Sequence, residues 1–140
     1  MTYSRRELCL LVTALAASPA VAAQQATLPS KAIPYDEMPV KERNGHQSRA
    51  IFSGELHTGA YLEVHQTRLA PGAMPHPPHH HVHEEMFLIR EGTLEVTISG
   101  KTTRLGPGSV GFAASNDEHG VRNIGTNPAE YFVVAFGKDA

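Results

Sequence analysis

Sulfur and broad aromatic surfaces are what this chain lacks. Its 140 residues include one cysteine and no tryptophan, and aromatic residues make up 6%. The single cysteine, Cys9, lies in the apolar leading segment. The remainder therefore has no disulfide, no thiolate nucleophile and no sulfur ligand for a metal. Scarce aromatics argue against a surface that stacks bases or sugars. Net charge is also small, −2, so nothing marks a nucleic acid or an anionic membrane as partner. There is no G-x-S-x-G elbow, no phosphate loop and no dinucleotide fingerprint, and no Ser/His/Asp set stands out.

The leading segment has its own character. Basic Arg5 and Arg6 precede an apolar stretch from Leu8 to about Ala17, and small residues follow. The apolar stretch is too short to span a bilayer and has the shape of a signal peptide. Residues 1–23 are therefore expected to direct export and to be removed after Ala22 or Ala23. Ser4-Arg5-Arg6-Glu7-Leu8 also resembles the twin-arginine signal of bacteria. The expected destination is periplasmic or secreted, with no membrane attachment after cleavage.

Residues 24–46 hold Pro29, Pro34 and Pro39 with little periodicity and read as an extended N-terminal arm. From residue 47 to 140 short apolar runs alternate with turns, and no helical period is convincing. Candidate strands cover 48–53, 60–69, 85–90, 93–98, 101–105, 109–113, 119–124 and 130–136. Ser99-Gly100 between two of them marks a tight hairpin. Strands at this spacing, with Gly and Pro at the joints, predict an all-β sandwich or barrel in one domain.

Histidine is the excess. Five of the nine, His76, His79, His80, His81 and His83, fall between residues 76 and 83. In a continuous strand His79, His81, His83, Glu85, Phe87 and Ile89 share one face. Apolar Phe87 and Ile89 place that face inward, so imidazoles and a carboxylate would be buried together. That is costly unless a cation compensates. A divalent metal does so, favouring neutral imidazole and ionised carboxylate. A histidine-rich surface loop that collects metals without specificity is the bland alternative. His83 is read either as a further inward group or as turned out by a bulge, whereas His80 and Glu84 have the outward parity. His46, His57 and His65 carry no spacing signal. Phe87, Ile89, Phe112, Val121, Tyr131 and Phe132 read as core or pocket wall.

The same residues resemble the two motifs of the cupin superfamily. Gly72 is followed by six residues, His79-x-His81, three residues, Glu85, six residues and Gly92. Downstream, Gly108 precedes Ala114-Ser115-Asn116, and His119 and Asn123 follow in register. Ala114-Ser115-Asn116 stands where the second motif has P-x-G, and Asn116 is the residue there that tolerates a left-handed backbone. The resemblance implies an antiparallel jelly-roll β-barrel of six to eight strands. It also implies His79, His81, Glu85 and His119 as ligands of one divalent transition metal: Fe, Mn, Ni, Cu, Co or Zn. Asn123 would hold the adjoining loop. The implied function is a metal-dependent enzyme of oxygenase, decarboxylase, isomerase or lyase type acting on a small organic molecule, with Glu85 also a candidate catalytic proton carrier. The alternatives are a non-catalytic exported binder of metal or small ligand, and a barrel whose metal is purely structural. Small cupins commonly pair through an N-terminal segment, so a homodimer is expected. Arg68, Arg90, Arg104 and Arg122 are unranked candidates to hold a substrate carboxylate.

Overall fold

A computed structural model describes residues 27–43 and 45–137. The expected export signal lies outside the described residues. Among them are nine strands: β1 (Val40–Arg43), β2 (His46–Glu55), β3 (Tyr61–Leu69), β4 (Glu84–Glu91), β5 (Leu94–Ile98), β6 (Lys101–Leu105), β7 (Val110–Ala113), β8 (His119–Asn123) and β9 (Ala129–Gly137). The other regular element is a short 3-10 turn at Tyr35–Glu37. The strands form an all-β cupin-type barrel of two sheets. One sheet has six strands in the order β1-β2-β3-β9-β4-β7, and the other three in the order β6-β5-β8. Every pairing is antiparallel.

Period-two patterning sets the interior. Leu94 and Val96 of β5, Phe87 and Ile89 of β4, and Tyr131 and Val133 of β9 point into one core with Leu69 and Val121. Each such fully buried aliphatic or aromatic side chain contributes about 1.5–3 kcal/mol relative to exposure. The β5–β6 hairpin closes through Ser99 (φ 47°) and Gly100 (φ 76°), the doubly left-handed turn that matches strand twist. Gly92 is required on two counts. Its φ is 81°, and a Cβ there would lie 2.6 Å from the Ala129 Cα.

Two expectations need correction. The segment read as an extended arm up to residue 46 joins the sheet at its end, so the described residues hold nine strands rather than six to eight. Its end forms strand β1, paired with β2 from Val40↔Arg49 to Arg43↔His46. The sequence Asn44-Gly45 is a strong two-residue hairpin signal, and Gly45 has φ 82°. Strand β4 also begins at Glu84, so His79–His83 are not part of it. Pro77 and Pro78 lack the amide protons a ladder needs, and only His79 makes a bridge, to His119.

Candidate metal centre

The site forms where the loop before β4 meets β8. His79 N–H donates to the His119 carbonyl at 3.0 Å, and His119 N–H returns a bond to the His79 carbonyl at 2.8 Å. Pro78 seats this loop on Gly120, where an added Cβ would come within 3.0 Å of the proline ring. The absence of a side chain at Gly120 thus lets the two segments approach. Asn116 N–H donates to the His81 carbonyl at 2.8 Å and fixes the next residue of the loop. Asn116 itself has φ 64°, the left-handed conformation expected of it.

These contacts gather the histidines. Ring centroids lie 5.1 Å apart for His79 and His81, 4.7 Å for His79 and His119, and 4.7 Å for His81 and His119. Glu85, first inward residue of β4, completes the set. Its Oε1 is 3.3 Å from His81 Nε2 and its Oε2 is 3.3 Å from His119 Nε2. His83 also turns inward. It stacks on His81 at 3.6 Å, with its Nε2 3.6 Å from Glu85 Oε1. Donor atoms of His79, His81 and His119 lie within 4.8 Å of one another, as do those of His81, His83 and Glu85. All four residues expected as ligands are therefore brought together, although His79 and His81 arrive from a loop and not by strand alternation. His80 is exposed, as its parity suggested.

The hydrogen bonds behind the rings suit a metal. His119 Nδ1 donates to the Asp117 carbonyl at 2.8 Å, and His81 Nδ1 to the His83 carbonyl at 2.9 Å. This leaves both Nε2 lone pairs facing the cluster, the orientation that ligating histidines adopt. Those two Nε2 atoms and Nδ1 of His79 are cut off from solvent without a hydrogen-bond partner. The 3.3 Å contacts to Glu85 are charge attraction with poor alignment, not full hydrogen bonds. Orphaned buried nitrogens around a carboxylate are the condition that a divalent cation relieves.

The charges are strongly coupled. Burial, with the neighbouring His76, His119 and His81, lowers the His79 pKa to about 4. Burial alone would raise Glu85, but the His119 imidazole beside it and the charges of His81, His119 and His83 outweigh that and hold it below its ordinary value. The Glu85 carboxylate raises His119 against the opposing effect of burial. Burial lifts the Tyr131 phenol well above its usual range, so it remains a neutral donor.

A cavity of about 370 Å³ opens beside the cluster, with Glu85, His119, Phe87 and Tyr131 in its wall. Its other wall was not legible from spacing. His46 and His65, read as ordinary, line it, and so does Arg43. His76 lines it too, with its ring 4.2 Å from that of His79. His57 is indeed ordinary, exposed beside Thr27. The four arginines proposed for a substrate carboxylate are elsewhere. Arg68 and Arg90 both meet the buried Glu130, while Arg104 and Arg122 are exposed. Of the six aromatic and aliphatic wall candidates, Phe112 is 49% exposed and stacks on Phe136 away from the core. Asn123 supports the loop as expected. It is fully buried, donates to the carbonyls of Leu69 and Asn127, and accepts from Gly125 N–H.

No curated protein matches this sequence. Solved structures do match in fold. An RmlC-like cupin from Shewanella frigidimarina has a TM-score of 0.66 at 16% identity, covering 80% of this chain and 95% of its own. A predicted oxalate decarboxylase from Thermotoga maritima has a TM-score of 0.62 at 20% identity, covering 76% of this chain and 99% of its own. The polyketide cyclase RemF from Streptomyces resistomycificus has a TM-score of 0.61 at 18% identity, covering 76% of this chain and 79% of its own. At such identities the likeness concerns the fold. Residues 65–135, just over half of the sequence, match the cupin domain family. With its β-barrel and inward histidines, the chain belongs to the cupin domain family.

Proposed function

We propose that this protein is a metal-dependent enzyme acting on a small organic molecule. His79, His81, His119 and Glu85 would hold one divalent transition metal. The carrying observation is the donor set of His79, His81 and His119, whose ligand atoms lie within 4.8 Å of one another, with His81 Nε2 and His119 Nε2 unpartnered beside the Glu85 carboxylate. Such a donor set suits Fe, Mn, Ni, Cu, Co or Zn. The metal, when bound, supplies Lewis acidity or a site for oxygen or water activation. The chain's own residues supply the rest. Phe87 and Val121 exclude water from one wall, and Tyr131 offers a neutral hydroxyl. Glu85 is placed to carry a proton between the centre and the cavity.

The cavity favours this reading over a purely structural metal, because the ligand cluster borders open space. Among solved neighbours, an oxalate decarboxylase and a polyketide cyclase are enzymes on small molecules, which supports the class and leaves the reaction open. An exported, non-catalytic binder of metal or small ligand is the second reading. Export to the periplasm or medium, with or without the twin-arginine route, belongs to the same proposal. So does a homodimer: β1 is a sheet edge whose four residues are all exposed, and its free edge is available for pairing.

The test is water-proton relaxation of Mn(II)-loaded protein. An enhancement over free Mn(II) reports a coordination position open to exchanging water, as an enzyme needs. Tight Mn(II) binding without enhancement contradicts the enzyme reading and favours a closed structural site.

A further inference from the structure

We propose that the cavity selects small molecules bearing a carboxylate remote from the reacting end, and that Arg43 and His46, at the end of the β1–β2 hairpin, hold it. This rests on the metal-enzyme reading, which places the reacting end at the histidine cluster.

The guanidinium and imidazoles of the wall point to an anion. Arg43, His46, His65 and His76 all line the cavity, and the one carboxylate in the lining is Glu85, already engaged by His81, His83 and His119. Arg43 is always cationic and makes no ion pair among the described residues. His46 lines the same wall beside it. Glu63 contacts His65 Nδ1 at 3.3 Å and lies outside the lining. Arg43 and His46 also border a second hollow of about 380 Å³, which carries Glu42 and Arg68.

The hairpin holds these groups in place. Arg43 and His46 are direct cross-strand partners, and Ala70 N–H donates to the Gly45 carbonyl at 2.9 Å. Register then sets the next row: Ser48 lies opposite Thr67, and both residues line the cavity. A guanidinium and an imidazole on paired strands form a preorganised carboxylate site. The cavity volume lies at the low end of ligand pockets, about 300–1,000 Å³, so the molecule is small.

The experiment uses Zn(II)-loaded protein and isothermal titration calorimetry. Succinate is compared with succinamate, which replaces one carboxylate by a neutral amide, and with acetate. Succinate should bind about tenfold or more tightly than succinamate. Arg43→Gln and His46→Gln should each shrink that ratio while acetate binding at the metal is unchanged. Equal binding of the two ligands, or a ratio that survives in the Arg43→Gln/His46→Gln double variant, overturns the proposal. Failure to retain zinc, measured beforehand, would be a failure of the metal reading. In that case acetate is titrated into metal-free protein. Saturable shifts of the His46 and His65 ring resonances that vanish in Arg43→Gln support the carboxylate site, and the absence of shifts overturns it.

Discussion

Glu85 Oε2 lies 3.3 Å from His119 Nε2, and this contact joins the two sheets, since Glu85 stands on β4 of the six-stranded sheet and His119 on β8 of the three-stranded one. In the metal-free protein the pair and its neighbours should titrate apart. His119 should hold its proton above its ordinary pKa of 6.5, and His79 should stay neutral down to about pH 4. The signs for stability differ. The contribution of His119, raised on folding, is full below pH 6.5 and is lost as pH rises through its folded value. That of Glu85, lowered on folding, is present above 4.5 and is lost as pH falls through its folded value. For His79 the unfolded chain gains a proton near 6.5 and the folded chain only near 4, so stability falls across that window on acidification. Nitrogen-15 detected NMR of the imidazole rings reads each directly. Coincident titration of His79 and His119 near 6.5 would refute this electrostatic description.

Gly92→Ala should destabilise the fold by roughly 1–3 kcal/mol. It forces an L residue into φ 81° and drives a methyl to 2.6 Å from the Ala129 backbone, away from the metal ligands. Urea unfolding checks the loss. Metal uptake per folded chain should stay at the wild-type level, which separates this glycine's structural role from that of the histidines.

On the outer face of the large sheet Glu130 is 2% exposed and held by Gln66 at 2.6 Å and by Arg68 and Arg90. The two arginines are 43% and 54% exposed, so each can still reach water if the carboxylate is removed. The carboxylate cannot. Arg68→Ala/Arg90→Ala should therefore cost about 3 kcal/mol, the low end for breaking a buried pair because Gln66 remains. Glu130→Gln should cost less. Equal losses in denaturant unfolding would show that the burial asymmetry does not govern this network.

Much of the fold was legible because its signals are local. The run 93–98 reads as a strand from its own composition, and the Ser99-Gly100 turn marks the hairpin that joins it to 101–105. The gathering of the four proposed ligands was legible through motif spacing, but the reason given for His79 and His81 was not the operative one. Loop bonds to His119 and Asn116, not strand parity, turn them inward. Strand β1 was missed although Asn44-Gly45 signals a hairpin, because the prolines before it dominated the reading of residues 24–46. His46, His65 and Arg43 were passed over for another reason. The place of Arg43 follows from its β1–β2 pairing with His46, and that of His46 and His65 from the β2–β3 register, Ala50↔His65 and His46↔Leu69, which no spacing within the chain encodes.

The central claim is that four side chains form one specific metal site. Elemental analysis of the purified protein, beside a His79→Ala/His119→Ala variant with the same sheet content by circular dichroism, tests it most directly. The expected result is one equivalent of a single transition metal, lost in the variant. Substoichiometric, mixed metal that survives the double substitution would contradict the claim and leave the histidine run a nonspecific metal-collecting loop.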